Sequence, residues 1–118
     1  MSDTEIMQNT VILVTAEGMG RGEVELQRTL IAKYLSLLAE NDLLPNSICF
    51  YTDGVKLAVT GSPVLELLRV LERRGVRLIL CSTCLGYYGL SEQVQLGIVG
   101  GMADILTAQA RADRVITL

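Results

Sequence analysis

Two closely spaced thiols, Cys81 and Cys84, are the side chains of this sequence best suited to covalent chemistry. The apolar run Val76-Arg77-Leu78-Ile79-Leu80 directly precedes them and reads as a buried strand. Both sulfurs therefore fall where a strand ends and a turn or short helix begins. Ligands of open α/β sheets bind at the carboxyl ends of strands. A thiolate is the reactive form of cysteine, and free amides at a helix start favour that charge.

Four kinds of chemistry compete for such a pair. A closed zinc site needs four ligands, whereas the chain has three cysteines and no His. A thioredoxin-like redox pair fits the Cys-x-x-Cys spacing. However, the only prolines, Pro45 and Pro63, are poorly placed to face it, and Gly86-Tyr87-Tyr88-Gly89 makes a poor long helix. Inert packing is the third, since free cysteine is often a small buried hydrophobe. Cys49, inside the apolar run Ser47 to Tyr51, reads that way. Sulfur transfer is the fourth: a thiolate accepts a sulfane sulfur as a persulfide and hands it on. It needs no metal, His or organic cofactor, only an activated nucleophile.

Two other strand-end loops are candidate site elements. Gly18-Met19-Gly20-Arg21 follows the first apolar run, Val11 to Thr15. Its glycines permit close backbone approach to a ligand, but the spacing matches neither the dinucleotide fingerprint nor the Walker pattern. A plain strand-to-helix turn is the alternative. Asp53-Gly54-Val55 follows the second run, Ser47 to Tyr51; Asp53 is placed to bond a ligand or a neighbouring amide, and Asp-Gly is also an ordinary turn pair. Arg21 is the candidate cation for steadying a thiolate or an anionic ligand, with a solvated surface arginine as the alternative.

The elements that must position these residues alternate. Strands at 11–15, 47–51, 76–80, 98–99 and 115–118 are separated by helices at 23–40, 102–112 and one opened by Ser62-Pro63, with Ser62 as N-cap. Leu26, Leu30, Ile31, Tyr34, Leu35 and Leu38 form the core stripe of the 23–40 helix, and Gly75 ends the helix that begins at Ser62. Such alternation predicts an α/β protein with a parallel sheet covered on both faces. Residues 1–10 read as a disordered leader and 11–118 as one domain. Half the residues are hydrophobic and 19% are charged, at a net charge of −3. Dispersed basic residues, one Phe and no Trp argue against a nucleic-acid partner. No apolar run reaches bilayer length and the polar start lacks a signal-peptide core, which places the protein in a reducing cytoplasm.

The stretch Cys81-Ser82-Thr83-Cys84-Leu85-Gly86-Tyr87-Tyr88-Gly89-Leu90 resembles the cysteine segment of the DsrE/DsrF-like family of small sulfur-handling proteins. It is most similar to the C-terminal domain of the YedF proteins, described as sulfurtransferase-like and linked to selenium metabolism. Met19-Gly20-Arg21-Gly22, Gly54-Val55-Lys56-Leu57, Gly61-Ser62 and Asp113-Arg114-Val115-Ile116 agree in order, so the resemblance runs from about Val11 to the end. It implies a three-layer α/β/α sandwich with a mainly parallel sheet of about five strands. It also implies homo-oligomers, trimers or hexamers, and on spacing to Gly89 it matches Cys81 to the sulfur-carrying cysteine and Cys84 to the second cysteine of YedF-like members. The sequence departs from the YedF pattern in having no N-terminal TusA-like domain, so a separate TusA-like sulfur carrier is the implied partner.

The resulting expectation is a sulfurtransferase-like relay protein carrying sulfane sulfur or selenium at Cys81 and Cys84, with no metal or cofactor. The alternative is a non-enzymatic oligomeric module that binds a small ligand or partner, its cysteines being structural. Exposure of the sulfurs discriminates, since open sulfurs favour chemistry. Mean hydropathy is +0.42, and Leu85, Tyr87, Tyr88, Leu90, Val94, Leu96 and Ile98 are the candidate interface residues. The alternative is that this segment folds back over its own sheet.

Overall fold

The computed structural model describes all 118 residues. Five short strands, β1 (Thr10–Val14), β2 (Ser47–Phe50), β3 (Arg77–Cys81), β4 (Ile98–Gly100) and β5 (Arg114–Thr117), form one sheet in the order β4-β3-β2-β1-β5, and every pairing is parallel. The central three are runs of Val, Ile, Leu and Phe that bury side chains on both faces, as β-strands covered by helices must. The outer strands β4 and β5 are largely exposed.

Helices α2 (Val24–Glu40) and α3 (Leu65–Arg73) pack against each other on one side. The chain then reverses direction across the sheet, from β4 at one edge to β5 at the other. Right-handed crossovers send the intervening helix α5 (Met102–Arg111) to the opposite face. The result is a three-layer α/β/α sandwich. Val11, Cys49, Arg77, Ile79 and Cys81 share the α5 face through the strand register. Phe50, Leu78 and Leu80 share the other.

Residues 1–10, expected to be a disordered leader, contain a helix instead. α1 (Asp3–Gln8) starts with a reciprocal capping box, in which the Glu5 amide donates to Ser2 Oγ at 3.2 Å and the Ser2 amide donates to Glu5 Oε1 at 3.1 Å. Met7 is buried against the core, so the segment has both a local start signal and an apolar anchor. α3 also begins later than Ser62-Pro63 implies. Val64 is its N-cap residue and Ser62 Oγ accepts the Val64 amide at 3.2 Å, a local turn. The reason is tertiary: Val59 bridges Val94 and the Thr60 amide donates to the Gln93 carbonyl at 3.0 Å, which holds the chain away from helical geometry up to Gly61.

The α2 stripe is narrower than its periodicity suggests. Ile31, Leu35 and Leu38 are buried, each contributing roughly 1.5–3 kcal/mol. Leu26 and Leu30 lie on the outside, at 54% and 38% exposure. No helix is long and apolar enough to cross a membrane.

Candidate functional site

The carboxyl ends of β1, β2 and β3 deliver three chain segments to one edge of the sheet. β3 runs one residue further than its apolar pattern, so Cys81 is its last residue, pairing with Gly100 of β4. Cys81 is also the N-cap of α4 (Ser82–Tyr87), which makes Cys84 the third residue of that helix. N-cap and third-residue side chains are neighbours in a capping geometry. The two sulfurs are therefore brought together by local structure alone.

The second contact is long-range. The Thr52 amide donates to Cys84 Sγ at 3.0 Å. Thr52 follows β2 and begins a 3₁₀ segment (Thr52–Ala58) with φ at +48°, a conformation rare for a β-branched residue and costing on the order of 1–3 kcal/mol. Its hydroxyl lies 2.7 Å from the Thr15 and Tyr51 carbonyl oxygens. Thr52 thus links the β1 loop, the β2 loop and the Cys84 sulfur. Gly54 is buried against the carbonyl of Val14, where a Cβ would overlap it, so this close approach requires glycine.

The two thiols are not equivalent. Burial pushes the Cys81 thiol up, but the amides of Cys84 and Thr83 and their side chains outweigh it and hold it below its ordinary value of 9.0. No full capping hydrogen bond reaches the Cys81 sulfur, so these groups act as close dipoles. Burial raises Cys84; the Thr52 amide opposes this, and the thiol's interaction with the Cys81 sulfur adds to the rise. Of the two, Cys81 is the thiol eased towards ionisation and Cys84 the one held back from it. Cys81 is only 1% exposed, though shallowly covered, whereas Cys84 is partly open. By the exposure criterion Cys84 is the accessible sulfur and Cys81 the packed one.

Around them, Asp53 is engaged within the protein. Its carboxylate accepts the Tyr88 hydroxyl at 2.8 Å and pairs with Lys56 at 2.9 Å, and these partners hold it below its usual value. Lys56 also sits 4.4 Å from the Tyr88 ring centroid. Val55 is fully buried in the core, with no surface to offer a ligand. Gly18 packs against the backbone of Gln27, whose carbonyl accepts the Met19 amide at 3.0 Å, so this part of the loop is fastened to α2. Gly20 and Arg21 are exposed, and Arg21 makes no ion pair; no cationic side chain contributes to the shift of either thiol in the pair. The structure brings Asp53, Gly54, Cys81 and Cys84 together, with Thr15 representing the β1 loop rather than Gly18 to Arg21.

Thr52, Lys56 and Tyr88 are the site residues that sequence reading missed. Tyr88 had a signal, standing one helical turn after Cys84. Thr52 had none, because its bond to Cys84 spans 32 residues of chain. Beside Tyr88 and Lys56 opens a cleft of about 420 Å³, lined also by Glu17, Arg28 and Thr60. Another, of about 340 Å³, lies at the opposite edge of the sheet around Asn9, Asn46, Arg77 and Arg111.

Most of the segment after the cysteines folds back over its own sheet. Leu85 and Leu96 are core residues, and Tyr88, Leu90 and Val94 pack on the core. Only Tyr87 and Ile98 of that group stand exposed, at 85% and 54%.

Comparison with known proteins agrees with this architecture. The structure superposes on the YchN protein from E. coli with a TM-score of 0.71 at 20% identity, covering 95% of this chain and all of that one. It superposes on MTH1491 from Methanobacterium thermoautotrophicum, a protein of unknown function, with a TM-score of 0.69 at 18% identity, covering 92% and 97% of the two chains. No curated protein matches the chain in a direct sequence search. The sequence model of the DsrE/DsrF-like family matches residues 8–118. With nearly the whole sequence accounted for and the parallel α/β/α sandwich in place, the chain belongs to the DsrE/DsrF-like family.

Proposed function

We propose that this protein is a sulfurtransferase-like relay component that carries sulfane sulfur, or selenium in its place, as a persulfide at the Cys81–Cys84 pair. The observation that carries this reading is the pair itself: two neighbouring thiols at a strand end, one of them partly open and held by a backbone amide from another loop. A thiolate attacks the outer sulfur of a donor persulfide, R–S–SH. The donor S–S bond breaks, R–S⁻ leaves, and the sulfur stays on the protein as Cys–S–SH. None of these steps needs a metal or cofactor. The YedF-like character of the cysteine segment supports the selenium variant, and a TusA-like carrier is the partner that supplies or receives the sulfur in the cytoplasm.

A homo-oligomer, trimer or hexamer, belongs to the same reading. Its support is exposed apolar side chains in two regions: Leu26, Leu30 and Leu37 along one side of α2, and Ile98, Val99, Met102 and Leu106 on β4 and α5. Sedimentation equilibrium checks it, and a single species of 12.8 kDa overturns it.

The second reading is a non-enzymatic module with structural cysteines, favoured by the near-complete burial of Cys81. One experiment separates the two. Wild type and variants with Cys49, Cys81 or Cys84 replaced singly by serine are incubated with glutathione persulfide and weighed by mass spectrometry. Added sulfur on at least one form, dependent on Cys81 or Cys84 and not on Cys49, is the expected result. No added sulfur on any form overturns the relay.

A further inference from the structure

We infer that the pair does not merely hold sulfur but discharges it: Cys84 takes the sulfane sulfur, and Cys81 then displaces it as hydrosulfide, leaving a Cys81–Cys84 disulfide. The inference rests on the relay reading and assigns each thiol a separate part in it.

Geometry divides the labour. Cys84 is the sulfur a donor meets first, since Cys81 is 1% exposed and Cys84 is partly open. The Cys84 sulfur is also tethered by the Thr52 amide at 3.0 Å, and Thr52 is anchored to Thr15. A persulfide built on Cys84 thus has its inner sulfur fixed in place. Cys81 stands at the N-cap position and Cys84 at the third helical position, positions whose side chains are neighbours, and each thiol perturbs the other. A covered thiol is protected from outside reagents yet reaches its neighbour. Access, not acidity, assigns the first attack to Cys84, whose thiol is raised and must ionise to take the sulfur; the lowered Cys81 thiol suits the second attack.

The step balances. The Cys81 thiolate attacks Cys84 Sγ of Cys84–S–SH, the Sγ–S bond breaks, and HS⁻ leaves with the electron pair and the proton it already carried. Cys81–S–S–Cys84 forms. The sulfane sulfur has been reduced and the two protein thiols oxidised. A dithiol reductant returns the disulfide to two thiols before another turnover. With selenium in place of the outer sulfur, the leaving group is hydroselenide.

The test is a single turnover with glutathione persulfide and no other reductant. Wild type should release one equivalent of hydrosulfide above a donor-only control, with a Cys81–Cys84 disulfide seen by peptide mapping. Cys81→Ser should take up sulfur on Cys84, keep it as a stable persulfide, and lose the release. Cys84→Ser should show no such disulfide and no release above control. Wild type that holds the persulfide without hydrosulfide or disulfide overturns the discharge and leaves the relay standing. So does a Cys81→Ser variant that releases hydrosulfide at the wild-type rate. Absence of added sulfur on every form, with no release, overturns both.

Discussion

Cys49 and the Cys81–Cys84 pair carry the same functional group in neighbouring strands, yet their surroundings differ. Cys49 sits in the middle of β2, fully buried, beside Ile79 in register. Desolvation pushes its thiol up to about 11, and the Arg77 charge opposes this only in part. Cys81 shares a sheet face with it but stands at the strand terminus, where the following amides are not used by a neighbouring strand. The backbone polar groups around Cys49 are spent in the sheet ladder, whereas those around Cys81 and Cys84 remain free to face sulfur. Position along the strand, rather than residue type, sets which polar groups each sulfur meets.

Alkylation kinetics test the contrast most severely. With iodoacetamide, the pair should react in the native state, Cys84 first because its sulfur is the open one, and its rate should still be climbing above pH 9.0 because burial and the Cys81 sulfur raise that thiol. Cys49 should react only through unfolding, at least ~100-fold more slowly. Native labelling of Cys49 at a comparable rate would erase the distinction. Gly54→Ala attacks the junction that supports the pair. Its Cβ would overlap the Val14 carbonyl, so we expect a loss of about 3 kcal/mol in urea unfolding together with slower thiol labelling. An unchanged midpoint would show that the β1 and β2 loops need not meet there.

The pH dependence of stability probes the other side of the comparison. The folded value of Cys49 lies above the ordinary 9.0, so its stabilising contribution is complete below about pH 9. It should fall as pH rises towards 11, by roughly 2–3 kcal/mol once the thiol ionises. The difference between wild type and Cys49→Ala, followed by chemical denaturation from pH 8 to about 11, should shrink over that window. A constant difference would mean that Cys49 is not held as the thiol. Tyr88→Phe is the mildest change: it removes the hydroxyl bond to Asp53 and should cost about 1 kcal/mol while leaving sulfur loading intact. Lost loading would move Tyr88 into the reacting site.

Much of this was legible beforehand. Continuous apolar runs such as Val11 to Val14 and Leu78 to Leu80 identified the central strands, because a strand covered on both faces leaves no polar positions in its pattern. The placement of Cys81 and Cys84 at a strand end was equally readable. The capping box at Ser2 and Glu5 was also present in the sequence as Ser-x-x-Glu, and the polar composition around it concealed it. The α2 stripe misled in the other direction. Apolar periodicity reports which residues share a helix face, and only the width of the contact decides that Ile31 and Leu35 are buried while Leu26 and Leu30 are not.

The alternating elements and the local pairing of the two thiols were readable along the chain, since each depends on residues within a few positions of one another, and that alternation in turn implied a parallel sheet. Tertiary structure alone decided the strand order, with β5 returning beside β1, and the meeting of Thr52 with Cys84. It also decided which thiol is covered. These depend on contacts between segments far apart in the chain, and local propensity carries no information about which distant backbone amide will face a given sulfur. The difference between Cys81 and Cys84 is therefore a property of the folded junction, while the existence of the pair is a property of the sequence.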